Sequence, residues 1–197
     1  MTVTAQREDK FHRILDAAIE AFAQTGYHQC QVAKIARLAG VADGTIYLYF
    51  RNKEEILIRV FQERMGEFIA AVRSRLAGCH DFRSSLRAIL EMHLSYMEQN
   101  RSLAVVTQLE LRQPDPHIRT AITGPLKEYY HLIEEVIRQG IERHEIATVD
   151  VRVARQMVFG TLDEATSDWV MAKNPWPLLS AVNPMMALFE GAFGAKK

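Results

Sequence analysis

Between Ala42 and Lys53 the chain reads ADGTIYLYFRNK. Its aromatic, hydroxyl and small side chains suit contact with a nucleic acid better than they suit bond-breaking chemistry. On a short helix of roughly Ala42 to Phe50, the residues Ala42, Thr45, Tyr47, Leu48 and Tyr49 are free to face a groove once Val41, Ile46 and Phe50 turn inward. Gly44 falls in the first turn of that helix, where glycine weakens it by up to about 1 kcal/mol. Close approach of the backbone to a phosphate is a reason to accept that cost. Lys53 opens the next helix, the unfavourable end of the macrodipole for a cation, and a nearby phosphate reverses the sign of that interaction.

Other reactive residues form no recognisable catalytic set. Ser95 stands near His93 and Asp163 precedes Glu164, but there is no nucleophile elbow, phosphate loop or metal-ligand spacing. No enzyme, cofactor or metal site is expected. Cys30 and Cys79 are too few and too far apart for a disulfide framework or a zinc site, so a reducing cytoplasm is the default. The amino-terminal MTVTAQREDKFHRIL has no apolar signal core, and no run approaches the roughly 18 apolar residues that span a bilayer. A soluble cytoplasmic protein follows, with no membrane partner.

The elements that position the reading run are helices. Phe11, Ile14, Leu15, Ala18, Ile19 and Phe22 form the buried stripe of a first helix that Gly26 ends; Val32, Ile35, Ala36 and Ala39 form that of a second, with Gly40 suited to its left-handed terminus. The chain then turns within about three residues, as a helix-turn-helix requires. Asp43 and Thr45 are expected to serve the third helix's amino end. Asn52-Lys53-Glu54-Glu55 has the form of a capping box, Asn52 accepting from the third amide and Glu55 reaching back, and opens a helix to about Leu76. Residues 1–64 carry nine Lys and Arg against eight Asp and Glu. Local placement of Lys10, Lys34, Arg37, Arg51 and Lys53 toward DNA therefore has to supply what net charge does not.

Helical periodicity continues and strand signals are absent. After a short loop at Gly78 to Asp81, helices are expected over about Phe82–Gln99, Ser102–Leu111, His117–Arg143, Val151–Ala172 and Leu178–Phe193, with Gly124-Pro125 breaking or kinking the third of these. The fold class is all-α, about nine helices, divided into a reading head over residues 1–52 and a ligand-binding and dimerisation part over 53–197. The last two helices hold more apolar surface than one face needs, including Val153, Met157, Trp169, Leu188 and Phe193, which points to a homodimer paired through them. Candidate lining residues for an apolar pocket are Ile89, Met92, His93, Tyr96, Met97, Leu103, Val106, Leu109, Phe159, Leu162 and Trp169. Each alone fits ordinary core; their number, with few acids or metal ligands among them, suggests a long apolar ligand. Gly66 in the fourth helix reads as a close-packing site rather than a flexure.

Gly26-Tyr27, Ile35-Ala36, Ala39-Gly40-Val41, Gly44-Thr45-Ile46-Tyr47, Tyr49-Phe50, Lys53 and Leu57 resemble the signature of the TetR family of one-component repressors. That resemblance implies that Ala42, Gly44, Thr45, Tyr47, Tyr49 and Lys53 contact double-stranded operator DNA. Cys30-Gln31 and Leu48-Tyr49 depart from the family's usual threonine and aromatic-histidine pair, so the operator sequence cannot be borrowed. Further stretches, AVVTQLELRQ at 104–113 and ARQMVFGTLDEATSDWVM at 154–171, are similar to a subgroup of that family, the fatty-acid-degradation regulators called FadR. This implies a repressor released from a palindromic operator by long-chain acyl-CoA as effector, with Arg112, Arg119 and, more weakly, Arg101 meeting the CoA phosphates. An efflux repressor answering a hydrophobic cation and an acyl-chain carrier that never regulates are the alternatives. Linkage then requires ligand and operator to weaken one another equally, with the fourth helix as the lever.

Overall fold

The structure, a computed structural model, describes residues 3–110, 112 and 115–194, and among these there are nine α-helices and no strand. In order they are α1 (Val3–Thr25), α2 (Val32–Ala39), α3 (Asp43–Ile46), α4 (Lys53–Leu76), α5 (Phe82–Gln99), α6 (Arg101–Glu110), α7 (Pro116–Glu142), α8 (Val151–Met171) and α9 (Val182–Ala192). A 3₁₀ turn over Leu178–Ala181 precedes α9. The expected single helix over Leu178–Phe193 is thus two pieces. Leu111, the last residue expected in α6, lies outside the described residues. No described helix is long and apolar enough to cross a membrane.

Local signals account for most boundaries. Gly26 and Gly40 take φ of +73° and +66°, the left-handed conformation that ends α1 and α2 and that other residues adopt only at a cost. The side chains of Asn52, Asp81, Asp115 and Asp150 each accept amide hydrogens at the start of α4, α5, α7 and α8, caps worth about 1 kcal/mol apiece. At Asp81 the capping box is complete, with Ser84 reciprocating. The box at Asn52 is altered: Glu55 reaches back to the amide of Arg51, not Asn52.

Pro125 lies inside α7 without breaking it, so of the break or kink expected at Gly124-Pro125 the break does not occur. Proline removes one amide donor there, but the turns on either side are anchored in buried core, Ile118 and Ile122 before it and Tyr129 and Ile133 after it.

Two apolar cores are threaded by the longer helices. One fills the head with Ile14, Leu15, Phe22, Ile35, Ile46, Phe50, Leu57 and Phe61, and it is completed by Leu103 and Val106 from α6 and Ile118 and Ile122 from α7. The second fills the body around Phe68, Ile89, Leu90, Tyr129, Ile133, Val158, Leu162, Trp169 and Phe189. Only at Gly140 does the body core forbid a side chain: a Cβ there would stand 2.8 Å from Cδ2 of Phe82 and 3.1 Å from its Cβ and Cγ. Atoms at the root of a buried ring cannot swing aside, so Gly140→Ala is expected to destabilise the fold by about 1–3 kcal/mol despite alanine's better helix propensity. Urea denaturation checks this, and an unchanged midpoint would mean that Phe82 yields. Gly66, by contrast, meets nothing within 4 Å. It is exposed on α4, and the close-packing role expected for it is overturned.

Candidate DNA-reading face and effector chamber

The recognition element is shorter than the sequence suggests. Only Asp43–Ile46 is α-helical; Tyr47, Leu48 and Tyr49 follow in turns, with the amides of Leu48 and Tyr49 bonded to the carbonyls of Thr45 and Ile46 at 3.1 and 3.0 Å. That tightening turns Phe50 inward to stack on Phe11, ring centroids 5.3 Å apart. Ala42 is the residue before the helix and no side chain caps it, so the capping expected from Asp43 and Thr45 is not made. The inward residues are Ile46 and Phe50, with Val41 only half-buried; Ala42, Gly44, Tyr47 and Leu48 are exposed, and Thr45 and Tyr49 are half-buried. A Cβ at Gly44 would meet nothing within 4 Å, so no contact within the chain demands glycine there.

Charge gathers on the same face. Arg7 and Lys10, from the first turns of α1, border one concavity with Gln6, Leu48 and Tyr49, and the Arg7 guanidinium lies 5.8 Å from the Tyr49 ring centre. The sequence places Lys10 on this side but gives no reason to add Arg7, because it does not reveal that α1 extends back over the recognition turn.

Lys53 is placed differently from the expected phosphate contact. Its ammonium donates to the carbonyls of Tyr27, His28 and Cys30 at 2.7, 3.0 and 3.0 Å and sits 4.6 Å from the centre of the Tyr27 ring. All three N–H groups are engaged inside the head, and the lysine ties the start of α4 to the loop between α1 and α2. Lys53→Met is expected to lower stability by about 2 kcal/mol and to weaken DNA binding through displacement of that loop. Thermal melts and a mobility-shift titration read the two effects; weaker binding with unchanged stability would instead mean that Lys53 leaves the carbonyls for a phosphate.

In the body, the predicted lining residues divide into three groups. Ile89, His93, Met97 and Leu162 are buried together, with Tyr96 and Phe159 packed at their edge. Leu103 and Val106 belong to the head core and Leu109 is 54% exposed, so these three do not join the first group: α6 turns that face toward α1. Met92 borders a surface concavity with Arg75, Arg87, Leu179 and Val182, and Trp169 is covered by Arg101, whose guanidinium lies 4.9 Å from its ring centre.

The buried group is organised by aromatic rings. His93 lies among Phe68, Tyr129 and Phe159, with centroids at 6.0, 5.8 and 6.4 Å, and its Nδ1 is 3.2 Å from the Tyr129 hydroxyl. Burial lowers the His93 pKa to about 4, opposed by the negative charge of Asp163, so the imidazole is neutral at ordinary pH. Burial likewise pushes the Tyr96 phenol up to about 12 and that of Tyr129 further. Tyr129 and Phe68 escape the sequence reading of the chamber, although Tyr129 continues the apolar stripe of α7 that leads to Ile133. Above Phe159 comes Tyr130, centroids 4.8 Å apart, then Arg155, its guanidinium 4.4 Å from the Tyr130 ring centre.

The three arginines expected to meet phosphate do not converge. Arg112 pairs with Asp163 at 2.8 Å, and Arg119 is exposed on the first turn of α7. Arg101 lies at the opposite end of α6, donating to the Val170 carbonyl at 3.1 Å, and a helix of that length spans about 15 Å.

Helix α6 joins head and body. Its Ser102 hydroxyl donates to Glu20 of α1 at 2.7 Å, and the Tyr27 amide donates to the Glu110 carboxylate at 3.2 Å. On its other side the Ser167 hydroxyl of α8 donates to the Gln108 side-chain oxygen at 2.7 Å. The pattern is a small helical head bolted by α6 to an aromatic-cored body.

Comparison with known proteins agrees with that geometry. Residues 14–60 match the family described as bacterial regulatory proteins, tetR family, and residues 61–192 match the YsiA-like protein C-terminal region. The fatty acid metabolism regulator protein of Bacillus subtilis is 44% identical over 184 residues, covering 93% of this chain and 95% of that protein. Among solved structures, the fatty acid degradation regulator FadR from Bacillus halodurans superposes with a TM-score of 0.88 at 44% identity, covering 92% of this chain and 98% of that one. The transcriptional regulator FadR from Bacillus subtilis, solved in complex with stearoyl-CoA, gives 0.87 at 44% identity, covering 91% and 97%. Head and body match together and the relatives are regulators rather than enzymes: the chain belongs to the TetR family of bacterial transcriptional regulators.

Proposed function

We propose that the protein represses genes of fatty acid degradation, binding a palindromic operator as a homodimer and releasing it when long-chain acyl-CoA enters the body. The observation that carries the reading is the 44% identity, continuous over head and body, to a fatty acid metabolism regulator, together with the stearoyl-CoA bound in the Bacillus subtilis relative of similar fold. Residues 1–52 form the reading head, and 53–197 the effector-binding and dimerisation part. Ala42, Gly44, Thr45, Tyr47 and Tyr49 meet bases and phosphates, Arg7 and Lys10 add phosphate contacts beside them, and Lys53 holds the head in shape. The acyl chain lies among Ile89, His93, Tyr96, Met97, Phe159 and Leu162. The CoA phosphates meet Arg112 and Arg155 at the Tyr130 rim, where Arg119 is the remaining candidate on α7.

Release follows from the bolting of α6. An acyl chain that parts α5 from α8 drags α6 through the Gln108–Ser167 bond, and α6 carries Leu103, Val106 and Glu110 into the head with it. The lever is therefore α6 as much as α4. Palindromic half-sites fix the spacing of two recognition elements at about 34 Å, so a small displacement is enough, and operator must weaken acyl-CoA binding by the same factor. The test is mobility of operator DNA, from upstream of the host's acyl-CoA dehydrogenase genes, with increasing stearoyl-CoA and with free CoA and stearate as controls. Release by stearoyl-CoA alone is expected. DNA binding that ignores it but yields to a hydrophobic cation would make this an efflux regulator, and acyl-CoA binding without specific DNA affinity would make it a carrier.

A further inference from the structure

We propose that His93 is the polar anchor for the thioester carbonyl of the bound acyl-CoA, its Nε2–H donating to that oxygen once the acyl chain has displaced the rings closed around it. The inference rests on the acyl-CoA reading above and assigns one atom of the ligand to one atom of the protein.

His93 is 4% exposed and Tyr129 1%. Among the described residues, only Nε2 of His93 and Nε of Arg155 are buried side-chain polar atoms without a hydrogen-bond partner. The Arg155 nitrogen has a ready explanation in its neighbours, a Glu134 carboxylate oxygen at 3.5 Å and the face of Tyr130. The His93 nitrogen has no such bonding partner: its ring stands among Phe68, Tyr129 and Phe159, with the Asp163 carboxylate acting on it electrostatically but making no hydrogen bond to it. An unmet donor or acceptor in such an interior is costly and therefore rare in a native core.

The hydrogen-bond inventory fixes which kind of atom it is. Burial keeps the imidazole neutral, so one ring nitrogen carries a proton and the other is bare. Tyr129 must place its hydroxyl hydrogen somewhere, and Nδ1 of His93 is the partner in reach. Donation by Tyr129 to Nδ1 satisfies both groups and puts the imidazole proton on Nε2. The opposite tautomer would leave the tyrosine hydrogen and Nε2 both unmet. Nε2 is thus a donor awaiting an acceptor, and the neutral donor in an apolar wall suits a carbonyl oxygen better than a carboxylate, whose charge would have to be stripped of water. A thioester meets that requirement and a free fatty acid does not, so the same atom supplies a reason for the effector to be the CoA ester.

Position agrees with chemistry. From the rim the sequence of contacts is Arg155, Tyr130, Phe159 and His93. Phe159 is only half-buried and stands between the rim and the imidazole. A narrow pantetheine arm entering past Tyr130 and displacing Phe159 brings the thioester to His93, and the acyl tail beyond it continues among Ile89, Met97 and Leu162.

The test compares two ligands on the unaltered protein by calorimetry: stearoyl-CoA, and the S-octadecyl-CoA thioether, which keeps the chain and the nucleotide but lacks the carbonyl oxygen. The thioether is expected to bind about 10- to 100-fold more weakly, the range for one buried hydrogen bond, and to release operator only at correspondingly higher concentration. In His93→Phe the two ligands should bind equally, with stearoyl-CoA reduced to the level of the thioether. In ¹⁵N-labelled wild type, the His93 Nε2 resonance should report a protonated nitrogen, and its attached proton should move further downfield with stearoyl-CoA than with the thioether. Equal affinity of the unaltered protein for both ligands would overturn the proposal while leaving acyl-CoA as effector. Failure of both to bind would remove the effector reading itself, and this assignment with it. Because the primary comparison needs no variant, misfolding of His93→Phe does not blunt it.

Discussion

Leu188→Glu is expected to turn the protein into a monomer and to reduce operator affinity about 100-fold or more. Leu188 is 72% exposed on α9, between exposed Ala187 and the small residues Gly191 and Ala192. On α8, Val153 at 61% and Met171 at 77% exposure flank Met157 and Gly160. At both Gly160 and Gly191 a Cβ would meet nothing within 4 Å, so these exposed apolar residues, with exposed Glu164 among them on α8, are left uncovered by a single chain. In the proposed homodimer two copies would pair these helices about a twofold axis, and each introduced carboxylate would then be enclosed near its symmetry mate. Loss of the pair makes operator binding monovalent, and linked half-sites are worth about 10²–10⁴ in avidity. Light scattering after size exclusion and mobility-shift titration are the measurements. A dimeric variant with full operator affinity would refute pairing through α9.

A second large effect is expected in acid. The His93 pKa falls from 6.5 to about 4 on folding, so between those values the unfolded chain binds the proton that the folded one refuses. Stability from this group is complete above pH 6.5 and is lost as pH falls, about 3 kcal/mol by pH 4. Carboxylates such as Asp81, whose pKa is lowered by the Ser84 amide and hydroxyl, lose stability in the same direction. A comparison with His93→Phe cancels their contribution, because both proteins carry them. Urea unfolding of the two at about pH 7, 5.5 and 4.5 should show the gap in favour of the variant widening as pH drops. Parallel curves would show that His93 is solvated in the folded protein.

Much of the head was legible because its signals are local. A glycine that ends a helix at positive φ, an asparagine that caps one, and apolar residues at i, i+3 and i+4 act within a turn or two of themselves. The third helix was over-extended for the same reason: Leu48 and Tyr49 continue a helical pattern, whereas the stacking of Phe50 on Phe11, distant in sequence, decides where the helix stops. Lys53 looked like a free cation at a helix start, and nothing nearby in sequence discloses three carbonyls gathered from the loop before α2. In the body, helices α5 to α8 are readable to within a residue or two, whereas the turn that delays α9 to Val182 and the face of α6 that meets the head are not. Their apolar types alone group Leu103, Val106 and Leu109 with the body's lining candidates, although two belong to the head core and one is exposed. His93 is singled out by the sequence and is buried among rings here, but its partner Tyr129 reads only as part of an ordinary apolar stripe.

The four side chains that α6 and α7 lend to the head core bear on how such regulators can be re-engineered. The first sixty residues, cut at the family boundary and joined to an unrelated sensor, would leave the head core open where Leu103, Val106, Ile118 and Ile122 complete it here. Such a chimera starts with a hydrated wound in its DNA-binding half. Operator preference is better rewritten by exchanging residues 42 to 49 within the intact chain than by transplanting the head.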